Sequence, residues 1–218
     1  MPNKPYRNTT VTKLSGDDMQ QKIMEAAKTL FLEKGYMATS TVDIAKKVGC
    51  NQALVHYYFR TKQNLFKQIY LQYVNALMQL GKKNIEQCTS VVDLVHEMIH
   101  LYFTFFSQYP NVPYFIVNEL IVSSEHRKML QECFIDNQMR IMLFNQLTQL
   151  IRNDIAAGKI RDVNPYALIQ NIVSLVLTSF LALPLYNDFI SSDEADKQAY
   201  LHRREQECED IILRSLKV

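Results

Sequence analysis

The sequence predicts an all-α protein in which a small N-terminal domain of three helices precedes a larger helical domain. Apolar residues recur mostly at helical spacing along the 218-residue chain, no Asn-Gly or Asp-Gly hairpin turn occurs, and only five glycines are present. With 48% hydrophobic residues, the chain is long enough for both domains. We therefore divide it into residues 1–62 and 63–218.

Residues 39–49 predict a short helix. Thr39 or Ser40 can cap its start, and Ser40 and Asp43 have the Ser-x-x-acid spacing at which cap and carboxylate satisfy free backbone donors. Gly49 is expected to end the helix, because glycine adopts the left-handed conformation without steric cost.

A second short helix is predicted to begin after residue 51, an asparagine that can cap it. Val55 and Phe59 form one buried face, and a turn of 100° per residue then points Ala53 and Tyr57 outward. Two helices joined by a tight turn have the layout of a DNA-reading helix-turn-helix. In such a motif Gln52 can bond adenine and Tyr57 can reach a phosphate. A plain helical hairpin in an all-helical core is the alternative.

A longer pattern at fixed spacing surrounds these two helices. It consists of Ile23, Ala26, Ala27, Leu30, Phe31, Glu33, Lys34, Gly35, Tyr36, Thr39, Ser40, Ile44, Ala45, Gly49, Tyr57, Phe59, Lys62 and Leu65. The pattern covers about 47 residues and resembles the DNA-binding domain of the TetR family of bacterial transcriptional regulators. In that family the third helix usually reads Leu-Tyr-x-His-Phe, whereas this chain has Val-His-Tyr-Tyr-Phe from residue 55.

The resemblance implies a role for several side chains of this segment. Those expected to hold DNA phosphates are Thr39, Thr41, Tyr57 and Lys62. Those expected to face the bases are Gln52, Ala53 and His56. The family also implies a homodimer that binds double-stranded, near-palindromic operator DNA, because two recognition helices one DNA turn apart read such a site.

Charge placement favours the same end of the chain. Residues 1–62 hold ten Lys and Arg against five Asp and Glu, a net charge of +5, whereas the remainder holds 14 against 17, a net charge of −3. The positive field therefore lies where phosphates would be bound. Lys4, Arg7 and Lys13 belong to a basic arm that either follows a DNA groove or is a disordered tail.

Six further helices are predicted after residue 62. The first runs to about residue 83, and the others cover residues 90–108, 113–122, 124–157 and, from Asn164-Pro165, the apolar stretch that follows. A last helix is capped by Asp193 and runs to Leu216. By resemblance, the final two helices form a dimer interface. Its predicted residues are Leu168, Ile172, Leu175, Ser179, Ile211 and Ile212.

The middle helices are rich in aromatic and soft apolar side chains, as ligand pockets are. The same residue types also fill ordinary helical cores. The predicted effector pocket consists of His96, His100, Tyr102, Phe106, Tyr114, Phe115, Asn118, Met139 and Asn171.

One short motif suggests a different chemistry. His96, Glu97 and His100 form His-Glu-x-x-His, the helix motif of zinc metalloproteases. The glycine and histidine that would extend this motif to a third zinc ligand are missing after His100. The strands that usually shape a protease cleft are missing as well. We therefore treat these side chains as ordinary helix residues, with a metal or polar-ligand site and a zinc hydrolase as alternatives.

These observations predict a transcriptional regulator, a repressor that a small-molecule effector of unknown identity releases from its operator. We expect no catalytic residue, resident metal or cofactor. Four cysteines without paired spacing indicate the cytoplasm, and polar residues within the apolar stretch 167–185 favour an interface helix over a membrane span. A protein of the same fold controlled by a protein partner, or by no effector, is the alternative.

Overall fold

The computed structural model describes residues 16–122, 124, 127–128, 131–132, 138–186 and 194–218. Within these ranges the protein is helical and contains no strand, so the predicted all-α class is confirmed. The helices are α1 (Gly16–Ala38), α2 (Thr41–Val48), α3 (Gln52–Phe59), α4 (Lys62–Gln87), α5 (Val91–Gln108), α6 (Val112–Val122), α7 (Gln138–Ala156), α8 (Pro165–Tyr186) and α9 (Glu194–Ser215).

Three helix boundaries differ from the sequence prediction or fall in the incompletely described part of the chain. Helix α4 continues past residue 83 to Gln87. Its Gly81 lies against α5 so closely that an added Cβ would come within 2.4 Å of Leu101 Cδ2. The helix predicted over residues 124–157 begins where only residues 124, 127–128 and 131–132 are described, and the predicted cap Asp193 lies outside the described residues. The predicted end of the helix over residues 124–157 is confirmed, since α7 stops at Ala156 and Gly158 follows with φ +66°.

The contacts divide the chain into two units, Met1–Phe66 and Lys67–Val218. The sequence boundary at residue 62 lies four residues earlier, at the start of α4. The first turn of α4 belongs with the first unit because Phe66 packs edge-on against Phe31 and Tyr36, with ring centroids 5.4 and 5.0 Å apart.

The first unit contains α1, α2 and α3. Helix α1 is broken at Gly35, which has φ 78° and ψ 165°. It packs against α2, which packs against α3. Their core consists of Ile23, Ala27, Phe31, Ile44, Ala45, Val55, Phe59, Leu65 and Phe66.

The second unit is arranged around α5. This helix packs against α7, α8 and α9, and α8 also packs against α6, α7 and α9. Phe103 and Phe106 of α5 meet Phe180 of α8, with ring centroids 5.4 and 5.5 Å apart. The N–H of Arg161 donates to the carbonyl of Leu216 at 3.0 Å, which ties the start of α8 to the end of α9.

Most of the predicted dimer stripe lies in this core. Leu168, Ile172, Ser179 and Ile212 are buried within the subunit, so their assignment to an interface is wrong for this structure. The physical reason is that α8 and α9 both turn their most apolar faces toward α5 or toward each other. Leu175 is half-buried and Ile211 is 47% exposed, so these two remain available to a partner.

Candidate DNA-binding and ligand-binding sites

Helix α2 is held at both ends by the caps that its sequence predicts. The Ser40 hydroxyl accepts from the Asp43 N–H at 3.1 Å, and the Asp43 carboxylate accepts from the Ser40 N–H at 2.9 Å. The hydroxyl and backbone bonds of Ser40 hold the pKa of Asp43 below its usual value. At the other end, Gly49 adopts φ 78° and donates to Ala45 O at 2.9 Å. Of the two candidate caps, Ser40 is the one used.

Helix α3 presents one face to solvent. Asn51 Oδ1 accepts from the Leu54 N–H at 2.9 Å, which fixes the start of the helix. Val55 and Phe59 are buried, as predicted. Gln52, Ala53, His56 and Tyr57 are exposed, Tyr57 to 68%. These are the predicted DNA-facing side chains of α3, and they share one surface.

A chain of hydrogen bonds that the sequence did not predict connects α2 to the end of α3. Gln52 Nε2 donates to Thr41 Oγ1 at 2.8 Å and lies 3.3 Å from His56 Nε2. His56 Nδ1 lies 3.0 Å from the carbonyl oxygen of Arg60. Arg60 has φ 64°, a conformation rarely adopted outside glycine. The i, i+4 spacing of Gln52, His56 and Arg60 is the signal from which the chain could have been found.

Two predicted phosphate-binding residues have internal partners instead. Thr39 is 1% exposed, and its hydroxyl donates to Leu30 O at 3.2 Å and to Gly35 O at 2.9 Å. Lys62 Nζ donates to Tyr36 O at 3.0 Å and to Thr39 O at 2.9 Å. The Thr39 side chain cannot reach DNA from this position, so that expectation is wrong. For Lys62, the geometry indicates a cap on the carbonyls at the end of α1.

The second unit contains a cavity of about 230 Å³ among α4, α5, α7 and α8. Its walls are apolar except for the Tyr102 hydroxyl and the exposed Lys82. Burial raises the pKa of Tyr102 to about 12. The lining residues are Leu77, Met78, Gly81, Lys82, Ile85, Met98, Leu101, Tyr102, Leu143, Phe144, Leu147, Ile169 and Val173.

Comparison with known proteins identifies the N-terminal unit. The family model described as bacterial regulatory proteins, tetR family, matches residues 23–69. The chain carries a DNA-binding domain of the TetR family. It is a DNA-binding transcriptional regulator, as the helix-turn-helix pattern predicted.

Individual relatives of this regulator differ in how much of their length matches this chain. Nucleoid occlusion factor SlmA of Mannheimia succiniciproducens is 22% identical over 181 residues, which cover 82% of this chain and 80% of SlmA. The HTH-type transcriptional regulator QacR of Staphylococcus aureus is 29% identical over 119 residues, or 55% of this chain and 53% of QacR. The chain thus spans about half the length of QacR.

Solved structures extend the likeness to the second unit at the level of fold. The transcriptional regulator FadR from Bacillus subtilis, crystallised in complex with stearoyl-CoA, superposes with a TM-score of 0.67 at 16% identity. The match covers 90% of this chain and 98% of FadR. The TetR-like arrangement of helices therefore continues past the DNA-binding unit.

Among the predicted pocket residues whose side chains the structure describes, only Tyr102 lines the cavity of about 230 Å³, whereas His100 lines a separate cleft of about 100 Å³ beside Glu97. Five of the remaining predictions fail for three reasons. Phe106 and Phe115 are core residues, Asn118 and Asn171 are exposed elsewhere, and Tyr114 donates to Leu181 O at 2.9 Å. The side chain of Met139 lies outside the described part of the structure.

The His-Glu-x-x-His motif connects α5 to α9. His96 Nδ1 lies 3.1 Å from Glu209 Oε2, and His100 Nδ1 lies 2.8 Å from Glu205 Oε1. The bond from Glu209 raises the pKa of His96 above its ordinary value. Among the described residues, no three metal-ligating side chains come together in a way that could hold an ion. The motif therefore works as a pair of inter-helix contacts.

Proposed function

We propose that this regulator is a homodimeric, cytoplasmic repressor that holds α3 in the major groove of a near-palindromic operator. We further propose that a small molecule releases the repressor from this operator. One observation carries the proposal. The exposed face of α3 bears Gln52, Ala53, His56 and Tyr57, and caps at Ser40 and Asn51 fix the two helices of the motif before DNA arrives. A preformed reading surface loses little conformational entropy on binding.

Phosphate contacts in this proposal come from the side chains that remain accessible. Tyr57 is exposed, and Thr41 is half-buried with a hydroxyl that accepts from Gln52 and keeps its own proton to donate. The net charge of +5 in residues 1–62 supplies the long-range attraction to DNA.

A dimer is supported by the surface that α8 leaves uncovered. Pro165–Leu185 is long and apolar enough to cross a membrane by length and composition alone, yet only 28% of its most apolar stretch is buried in the subunit. A second copy packed against the outer faces of α8 and α9 would cover Tyr166, Leu175 and Ile211. Large apolar surfaces of this kind commonly mark interfaces.

The cavity supports an apolar effector with one polar group. At about 230 Å³ the cavity is many times larger than the space that one water molecule needs, so it can take a small organic molecule. The Tyr102 hydroxyl makes no hydrogen bond with any described residue, and Lys82 lies at the rim. A ligand with an alkyl or aromatic body and a carboxylate or other acceptor would satisfy both groups.

Release requires that the effector bind two states of the dimer with different affinities. Helix α4 starts at Lys62, beside the reading helix in sequence, and lines the cavity from Leu77 to Ile85. A ligand that fits only one position of α4 would favour a dimer whose recognition helices are wrongly spaced for successive grooves. A coupling of about 1–3 kcal/mol would lower the affinity for DNA several-fold to roughly a hundredfold.

The test begins with genomic fragments retained by the purified protein, followed by footprinting. Tyr57→Phe should weaken binding to all sequences similarly and leave the salt dependence nearly unchanged, because a neutral hydroxyl releases no counterion, whereas Gln52→Ala should change base preference. Gln149→Ala, which alters an exposed amide of α7, is the matched control. Equal effects of Gln52→Ala and Tyr57→Phe at every operator base would contradict the assignment.

A second candidate is a DNA-binding protein of the same fold controlled by a protein partner or by no effector, since one relative matched over most of the chain is named a nucleoid occlusion factor and not a ligand-responsive regulator. A thermal-shift screen of apolar carboxylates and amphiphiles distinguishes the two. The repressor predicts stabilisation by at least one compound, lost in Val173→Trp, which fills the cavity. Operator binding that no compound alters would favour the partner-controlled protein.

A further inference from the structure

We propose that Gln52 reads its base through its carbonyl oxygen alone, so that it accepts adenine or cytosine at one operator position and rejects guanine and thymine. The inference deepens the proposed function and rests on it, since Gln52 must face a base. It follows from the hydrogen bonds that the side chain already makes in the free protein.

The proton positions in the chain are fixed by the Arg60 carbonyl. A carbonyl oxygen only accepts, so His56 Nδ1, at 3.0 Å, must carry the proton that it donates. In the neutral ring Nε2 is then an acceptor, and it faces Gln52 Nε2 at 3.3 Å. His56 therefore receives one of the two N–H groups of the Gln52 amide.

The second N–H group is also engaged. Gln52 Nε2 donates to Thr41 Oγ1 at 2.8 Å, so Thr41 and His56 together use both donors of the amide. The carbonyl oxygen Oε1 is therefore the group of Gln52 that remains available to a base, and the side chain is exposed on the DNA-facing surface of α3. Gln52 is thus presented to DNA as an acceptor.

The hydrogen-bonding groups that each base presents in the major groove determine which bases an acceptor at Gln52 would prefer. Glutamine usually recognises adenine with two bonds, one accepted from N6–H and one donated to N7. Without a free donor only the first bond forms. Adenine N6 and cytosine N4 both offer an amino group, whereas guanine O6 and thymine O4 are acceptors that would face Oε1. A and C are therefore read alike on the contacted strand.

The experiment measures binding of the full-length protein to four operator duplexes that differ at the one base pair where Gln52→Ala removes preference. We expect the wild type to separate A from C by less than about threefold and to bind either roughly tenfold more tightly than G or T. Thr41→Val and His56→Phe each release one amide donor. Each should therefore favour A over C by roughly tenfold.

Thr41→Ser is the matched control, because it keeps the accepting oxygen and should retain equal reading of A and C. Circular dichroism melting establishes that each variant is folded, and the Thr41 and His56 variants test the same amide from opposite sides. A wild type that already prefers A over C tenfold, or variants that leave the ratio unchanged, would overturn the inference while operator binding stands. Failure to retain any DNA would overturn the proposed function, and the inference with it.

Discussion

Lys62 Nζ lies 4.0 Å from the centre of the Tyr36 ring while it donates to the carbonyls of Tyr36 and Thr39. One ammonium thus caps the end of α1 and ties it to the first residue of α4. Charge-assisted hydrogen bonds of this kind contribute more to stability than neutral ones. The contact explains why a lysine stands at this position without requiring a phosphate.

Lys62→Met is expected to lower the free energy of unfolding by about 1–3 kcal/mol, because two carbonyls lose a charged donor. DNA binding should weaken only as far as the fold does, with an unchanged dependence on salt. Urea unfolding and DNA titrations at several salt concentrations measure both effects. Lys67→Met, which removes the same charge further along α4, is the control. A salt slope reduced by about one at unchanged stability would instead reveal a phosphate contact.

Thr39→Val tests the second internal residue. The buried hydroxyl serves Leu30 O and Gly35 O, and valine keeps its shape but has no donor. We expect a loss of about 1–3 kcal/mol in the free energy of unfolding. Thr39→Ser should retain more of the stability, because it keeps the hydroxyl and loses only a methyl group. Full stability of Thr39→Val together with weaker DNA binding would restore the phosphate role that the family resemblance implied.

These residues show how far the sequence could predict the molecule. The caps at Ser40, Gly49 and Asn51 were predictable because a cap depends on a few neighbouring residues. Thr39 and Lys62 were not, because their partners lie in α1 or directly after it, outside any local pattern. A family resemblance assigns a role to a position but does not show whether the side chain is buried.

The same distinction applies to the second unit. Periodicity correctly indicated that α8 has an apolar stripe, but it could not tell whether α5 or a second subunit covers Ile172 and Ser179. Among the aromatic residues, Tyr102 and Phe106 lie on the same helix, yet only Tyr102 lines the cavity. Which of these side chains remain accessible to a ligand or a second subunit depends on how four helices pack together. Amino-acid composition does not determine that packing.

The contact between His96 and Glu209 makes stability depend on pH. The carboxylate raises the pKa of His96 above 6.5, and Glu97 and Glu205 act in the same direction. The stabilisation is therefore complete below pH 6.5 and is lost as the pH rises through the raised pKa. Because the His96 side chain is 58% exposed, the contribution is expected to be below about 1 kcal/mol.

Urea unfolding of the wild type and of Glu209→Gln between about pH 5.5 and pH 8.5 measures this dependence. The wild type should lose more stability across the interval than the variant, which lacks the charge that holds the proton. Glu207→Gln, on the same helix, removes an exposed carboxylate that pairs with Arg204 instead and is the control. Identical pH profiles for wild type and Glu209→Gln would show that the contact carries no proton linkage.

Tyr102→Phe probes the polar group of the cavity through the folded protein alone. The Tyr102 hydroxyl has no hydrogen-bond partner among the described residues, so its removal should leave stability at neutral pH unchanged or slightly higher.

The folded state holds the phenol proton to about pH 12, whereas the unfolded chain releases it near the ordinary value of 10.0. Stability should therefore fall between these two values in the wild type and fall less in Tyr102→Phe, as unfolding at alkaline pH would measure. In the absence of DNA, Tyr57→Phe, at a position 68% exposed, should retain the wild-type profile. A marked loss of stability in Tyr102→Phe at neutral pH would mean that the hydroxyl is already satisfied, and it would remove the polar handle on which the proposed effector chemistry depends.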